Sequence, residues 1–224
     1  MHFKAQPPTI VHLGRGSRLA RQFRKVLERY PESLAKDRRQ LLSRYRFEEI
    51  AFKVVGVGSV GTRCAVALYL SPGGDPLVLQ VKEAVPSVLA PYAGASLFSH
   101  QGERVVVGQR LMQCASDIFL GWASDDDGRD YYVRQLRDMK TSVPLDMLQG
   151  PVLHNFAGMC GWALARAHAK AGDATRLSGY LGSSDRMDQA IADFAERYAD
   201  QCERDFAAFK RAIRAGTLPI ELER

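Results

Sequence analysis

The sequence predicts an α+β fold in which a small antiparallel β-lobe with one helix precedes a C-terminal helical bundle. Three observations lead to this prediction. Residues 47–82 are rich in β-branched and aromatic residues, interrupted by a glycine-rich stretch and an S-P-G-G-D turn. A helix-like segment and two more strand-like segments follow between residues 103 and 136. Residues 151–224 show helical spacing of apolar residues throughout.

The first 46 residues predict a basic helical arm of two helices. Pro31 ends the first helix, and Asp37 can cap the second. The arm holds twelve Lys or Arg against three acids, whereas the net charge of all 224 residues is +6. Such a segment can contact nucleic acid or anionic lipid. Apolar residues at helical spacing favour another interpretation, a docked helix with solvated arginines: Leu19, Phe23, Val26, Leu27 and Tyr30.

Residues 47–140 predict the β-lobe that carries the glycines. Strands are expected over residues 51–57, 62–70 and 76–84, with the turn at residues 71–75 between the last two. A helix is expected over residues 103–117. The acidic turn at residues 125–128 then joins two strands as a hairpin and is expected to face water.

Residues 141–224 predict a helical lobe. One helix is expected over residues 152–171, with Gly172 as its stop. A longer helix follows Ser184, and its expected buried side consists of Met187, Ile191, Phe194, Tyr198, Phe206 and Phe209.

Bulk features predict a cytoplasmic protein that contacts no membrane. No apolar run approaches the ~20 residues that a membrane span needs, and residues 1–16 lack the apolar core of a secretory signal. The cysteines are far apart, with no C-x-x-C pair and no His at metal spacing. Structural disulfides and a zinc site are therefore not expected.

The glycines Gly56, Gly58 and Gly61 form a G-x-G-x-x-G pattern, which is typical of a phosphate-binding loop. A dinucleotide fingerprint or a P-loop would require a helix after the glycines. Here a strand-like segment follows, and residues 61–63 read Gly-Thr-Arg where a P-loop has Gly-Lys-Ser or Gly-Lys-Thr. Both helix-type loops therefore fit this pattern poorly.

A glycine turn between antiparallel strands, followed by a strand with a lysine, is the arrangement of the small lobe of protein kinases. Lys82 lies 21 positions after Gly61 and can occupy that strand. Glu103, on the next helix, is the candidate carboxylate to hold it. Ser59 and Thr62 can add hydroxyl donors to the loop. The predicted ligand is ATP, with or without Mg²⁺.

A simpler interpretation stays open beside this one. Three glycines in a hairpin can serve a tight turn alone, and a lysine at a strand end is commonly a solvated edge residue. Arg134 and Arg137 either reach phosphate or form surface ion pairs.

Several long segments resemble an uncharacterised bacterial family catalogued as domain of unknown function 2252. The resemblance runs from about residue 37 to about residue 214, and its longest blocks are DRRQLLSRYRFEEIAFKVVGVGSVGTRCAVALYL, ERVVVGQRLMQCASDIFLGW, RDYYVRQLRDMK and CGWALARAHAKAGD. It implies kinship with kinase-like phosphotransferases such as aminoglycoside and choline kinases. It also implies that this chain corresponds to the C-terminal half of the family, while the other half carries the catalytic and metal-binding acids.

The sequence itself lacks those acids. Phosphoryl transfer needs a base or orienting Asp and an Asn or Asp that holds Mg²⁺, and no H-x-D with an Asn five residues later occurs. No catalytic and no metal-binding residue is therefore assigned. The predicted function is ATP binding by one half of a kinase-like phosphotransferase that is inactive alone, with a catalytic half on another chain or self-association. The alternatives are a non-enzymatic interaction module and, less favoured, nucleic-acid binding by the arm.

Overall fold

The computed structural model describes residues 1–14, 16–56, 61–136 and 143–218. The chain divides into two compact units, Met1–Ala171 and Gly172–Arg224. The three-part division predicted from the sequence, with boundaries at residues 46 and 140, stays a prediction.

The first unit combines helices and strands, in agreement with a mixed fold. Its elements are β1 (Ile10–His12), α1 (Arg18–Arg29), α2 (Lys36–Leu42), β2 (Arg46–Lys53), β3 (Cys64–Leu70), β4 (Pro76–Ala84), α3 (Ala90–Ala93), α4 (Gln101–Met112), β5 (Gly121–Ser124), β6 (Asp130–Gln135) and α5 (Gly150–Ala171).

The six strands form one antiparallel sheet in the order β1-β2-β3-β4-β6-β5. Strands β2, β3 and β4 follow one another as neighbours, so the glycine turn joins adjacent strands. Strand β6 pairs with β4 and carries β5 at the sheet edge. The predicted antiparallel sheet is confirmed, whereas the short edge strand β1 was not predicted.

Helix α1 packs on one face of this sheet and supplies much of its core. Ser17 caps the helix, its Oγ accepting from Ala20 N at 3.2 Å. Phe23, Val26 and Tyr30 are 0% exposed. They pack in one cluster with alternate residues of the sheet, namely Ala65, Ala67, Tyr69, Leu77, Leu79, Val81, Tyr131 and Val133. The docked-helix interpretation of the basic arm is confirmed.

The acidic turn between β5 and β6 is tied to α1, so the expectation that it faces water is wrong in part. Asp127 Oδ2 accepts from Arg18 Nη2 at 2.8 Å and from Arg129 Nη1 at 2.7 Å. Asp126 pairs with Arg29 at 2.5 Å. The side chain of Asp125 is fully buried and accepts from two backbone amides of the turn. Asp126 and Asp127 thus pair with arginines of the arm and fix the hairpin to the helix.

Helix α4 packs against β4, β5 and β6. It spans Gln101–Met112, five residues shorter at its C-terminal end than the predicted segment 103–117. Residues 113–120 are irregular, and β5 begins at Gly121. The irregular stretch is held by Asp117, whose side chain accepts from Phe119 N and Gln135 N. Local propensity did not reveal these side-chain-to-backbone hydrogen bonds.

The second unit contains α6 (Ala174–Leu181) and α7 (Arg186–Arg214). Helix α7 agrees with the predicted long helix, and α6 was not predicted. The side of α7 that was expected to be buried is exposed, with Phe194 63% and Phe206 58% accessible. Among the helices in the described ranges, none combines the length and apolarity needed to cross a bilayer.

Candidate anion site beside the glycine turn

The glycine turn leaves the sheet at the end of β2 and returns as β3. Gly56 and Gly61 bracket it, while Gly58 and Ser59 lie outside the described residues. Gly61 has φ +81°, a conformation that residues with a Cβ rarely adopt. Among the described residues the turn leads into β3 and no helix follows it, in agreement with the poor fit of the two helix-type loops.

A transverse row of side chains crosses one face of the sheet beside this turn. Cys64 of β3 lies opposite Lys82 of β4, and Lys82 lies opposite Tyr132 of β6. Tyr132 in turn lies opposite Trp122 of β5. On the other side, Lys53 ends β2 and continues the row next to Cys64. Two lysines therefore flank the strand into which the turn runs.

The row matters because no carboxylate of the described residues pairs with its cations. Lys53, Lys82 and Arg134 are each half-buried. Arg134 shares the face of Lys82, since it lies two residues beyond the position opposite that lysine. Among the described residues, none of these three forms an ion pair with a carboxylate. Three such cations on one face create a positive potential that attracts an anion.

A buried thiol and a buried amide connect the cations. Gln80 Oε1 accepts from Arg134 Nε at 3.2 Å, and Gln80 Nε2 donates to Cys64 Sγ at 3.6 Å. Burial raises the pKa of the Cys64 thiol, while the charges of Lys82, Lys53 and Arg134 act in the opposite direction. The thiol is thus a neutral packing group, and the three cations lie near enough to act on its pKa.

Glu83 lies on the opposite face of the sheet from Lys82. It fixes the backbone where the turn leads into β3. Its Oε2 accepts from Arg63 N at 2.9 Å, and its own N–H donates to Arg63 O at 2.8 Å. The Arg63 guanidinium donates to Gln22 Oε1 of α1 at 2.9 Å. Strand alternation indicated that Glu83 points away from the face of Lys82, but not that it anchors the turn.

Glu103 lies in the first turn of α4, beside the capped end of the helix. Its backbone N–H donates to His100 Nδ1 at 3.1 Å, and Gln101 N donates to Asp130 Oδ2 at 2.7 Å. These caps fix the helix on the hairpin. Within the described ranges the predicted ion pair between Glu103 and Lys82 is not formed. Thr62 lies half-buried between Gly61 and Arg63.

The structure therefore brings Gly56, Gly61 and Lys82 to one end of the sheet. Sequence reasoning missed Lys53, although its position at the end of a strand before the glycines was a usable signal. Arg137 lies outside the described residues. No group of three or more His, Cys, Asp or Glu in the described part of the chain is placed to hold a metal ion.

The chain also matches the model of a protein family. Residues 1–212 match the family model described as "Uncharacterized protein conserved in bacteria (DUF2252)". The chain belongs to that family, and the match begins well before residue 37, where the resemblance was placed. No curated protein and no solved structure matches the chain.

Proposed function

We propose that this chain is the nucleotide-binding half of a kinase-like phosphotransferase and that it binds ATP beneath the glycine turn. The observation that carries the proposal is the pair of half-buried lysines, Lys53 and Lys82, on either side of the strand that the turn enters. Adjacent strands lie about 4.8 Å apart, so these lysines start from strands roughly 10 Å apart. That span suits a chain of two or three phosphates.

Each part of the site has a defined task in this proposal. The glycines offer backbone N–H groups to phosphate oxygens, because no side chain obstructs the approach. Lys82 contacts the α- and β-phosphates in the manner of the small-lobe lysine of kinases. Lys53 and Arg134 add charge on the same face. In this proposal Glu103 of α4 is the carboxylate that pairs with Lys82 once phosphates are bound, although the two do not form an ion pair in the structure.

The order of elements supports the kinase-like fold. A strand, a glycine turn, a strand, a second strand with a lysine, a helix and a hairpin follow one another in one antiparallel sheet. Protein kinases place the glycine-rich loop and the lysine in this order. In this proposal the chain corresponds to the C-terminal half of the family, and its complementary catalytic half supplies the acids that hold Mg²⁺. Alone, the chain binds ATP without transferring phosphate.

Lys82→Met tests the nucleotide assignment. Calorimetric titration of wild type should show ATP binding, and the variant should lose about ten- to a hundredfold in affinity, because a hydrogen bond to a charged group contributes about 1.5–3 kcal/mol. Lys36→Met is the matched control, since it removes the same charge from an exposed residue of α2. Equal ATP affinity in wild type and Lys82→Met would contradict the assignment.

Thermal unfolding separates this proposal from a non-enzymatic interaction module. ATP at a hundred times its Kd should stabilise the wild-type chain by about 2.7 kcal/mol. Inorganic tripolyphosphate tests whether the base contributes: a nucleotide site binds ATP more tightly than tripolyphosphate. No stabilisation by millimolar ATP, with or without Mg²⁺, would favour the interaction module.

A further inference from the structure

Helix α7 carries an apolar stripe, most of which the other described residues of the second unit leave uncovered. Large side chains recur along one side of its 29 residues, and their exposed fractions run from 37% at Met187 to 63% at Phe194. Phe194 and Tyr198 stack on each other with ring centroids 5.5 Å apart. A contiguous exposed apolar surface of this kind marks an interaction site.

The stripe is symmetric in sequence about Asp200. Four pairs of residues lie at equal distances on either side of it: Met187 with Ile213, Ile191 with Phe209, Phe194 with Phe206, and Tyr198 with Cys202. Asp200 itself lies on the opposite side of the helix, because it is two residues from both Tyr198 and Cys202. A second α7, antiparallel and centred on the same residue, would set apolar against apolar along the whole stripe.

The charges of α7 select the antiparallel direction. Residues 186–200 contain four acids and two arginines, whereas residues 201–214 contain four basic residues and two acids. Antiparallel pairing places the acidic half of one helix beside the basic half of the other, and parallel pairing would place like against like. Near the ends, Lys210 comes to the level of residue 190, within one helical turn of Asp188 of the partner subunit on the same flank of the stripe.

We propose that two copies of this chain associate through α7, antiparallel, about a two-fold axis at the level of Asp200. The contact is isologous: each Phe194 packs on Phe206 of the partner subunit, and each Tyr198 packs on Cys202 of the partner subunit. The proposal stands independently of nucleotide binding, because it uses only residues of the second unit.

Sedimentation over a range of concentrations tests the association with the full chain. Wild type should pass from monomer to dimer, and Phe194→Asp should weaken dimerisation about a hundredfold or more, because each dimer contains two such central contacts. Tyr180→Asp is the control, since Tyr180 is 81% exposed but belongs to α6. Circular dichroism verifies that both variants keep their helices.

Cross-linking tests the direction. With Cys114→Ser and Cys160→Ser in place, Tyr198→Cys should give a disulfide to Cys202 of the partner subunit, identified by peptide mass. Parallel helices would instead link like residues, 198 to 198 and 202 to 202. Asp200→Cys, on the far side of the helix, should not form a disulfide with the partner subunit. A monomer at all concentrations, a dimer insensitive to Phe194→Asp, or like-to-like links would each overturn the proposal.

Discussion

Tyr30 joins α1 to the irregular segment before β5 through one buried hydrogen bond. Its ring is 0% exposed, and its hydroxyl donates to Phe119 O at 2.8 Å. Burial raises the pKa of Tyr30 above the ordinary range of a phenol, and the nearby Tyr69 and Asp117 add to this effect. The folded chain therefore holds the phenol neutral, which links stability to pH.

Tyr30→Phe should lower the unfolding free energy by about 1 kcal/mol at neutral pH, the net value of one hydrogen bond. Because the folded pKa is raised, the stability from Tyr30 is complete below the unfolded tyrosine pKa of about 10 and is lost as pH rises above it. The variant should therefore lose less stability than wild type between about pH 9 and pH 11, measured by urea unfolding.

Part of the alkaline loss should persist in that variant, because burial also raises the pKa of Tyr69 and of Tyr131. Tyr180→Phe, at an 81% exposed position, should behave as wild type at every pH. An alkaline loss as steep in Tyr30→Phe as in wild type would contradict the assignment.

At the scale of elements, α4 is positioned by the absence of a side chain at Gly102. A Cβ there would lie 2.2 Å from the backbone oxygen of Tyr131 and 2.8 Å from the His100 ring. The helix approaches β6 closely only because this position is glycine. The same helix carries Gly108, where a Cβ would meet nothing within 4 Å.

Gly102→Ala should therefore destabilise the chain by about 1–3 kcal/mol, since helix and strand must separate. Gly108→Ala should stabilise it by up to about 1 kcal/mol, because alanine favours the helix and meets no obstacle. Chemical denaturation of the two variants provides the comparison. Equal changes in the free energy of unfolding would show that helix propensity, and not the contact with β6, determines the stability of both variants.

Elements with strong local patterns could be predicted from the sequence, and those fixed by long-range contacts could not. Strand β3 and helix α5 were found because β-branched and helical patterns are local properties of the chain. The end of α4 was missed because the segment after Met112 is held by Asp117, which accepts from the amides of Phe119 and the distant Gln135. The buried side of α7 was predicted wrongly, since an apolar stripe shows that a helix requires a partner, not that the described chain supplies one.

At the scale of the whole molecule, the first 46 residues are part of the core and not an appended arm. The sequence suggested this through the spacing of Phe23, Val26 and Tyr30, whereas the basic charge left open a less favoured role in binding polyanions. The structure shows which groups these arginines contact. Arg18 and Arg29 bind the acidic hairpin turn, and the Arg24 guanidinium carbon lies 5.0 Å from the centroid of the Phe47 ring. Partner carboxylates 97 to 109 residues distant in sequence could not be assigned from local patterns.

Removal of residues 1–36 distinguishes a structural arm from a nucleic-acid-binding one. Fully burying each of Phe23, Val26 and Tyr30 contributes about 1.5–3 kcal/mol, so the sum is comparable to the 5–15 kcal/mol that stabilises a typical domain. We expect the truncated chain to lose cooperative thermal unfolding. Removal of residues 1–5 is the control and should keep it, because α1 and β1 remain. A 1–36 truncation that unfolds as cooperatively as the full chain, and loses only salt-sensitive DNA binding, would return the arm to a binding role.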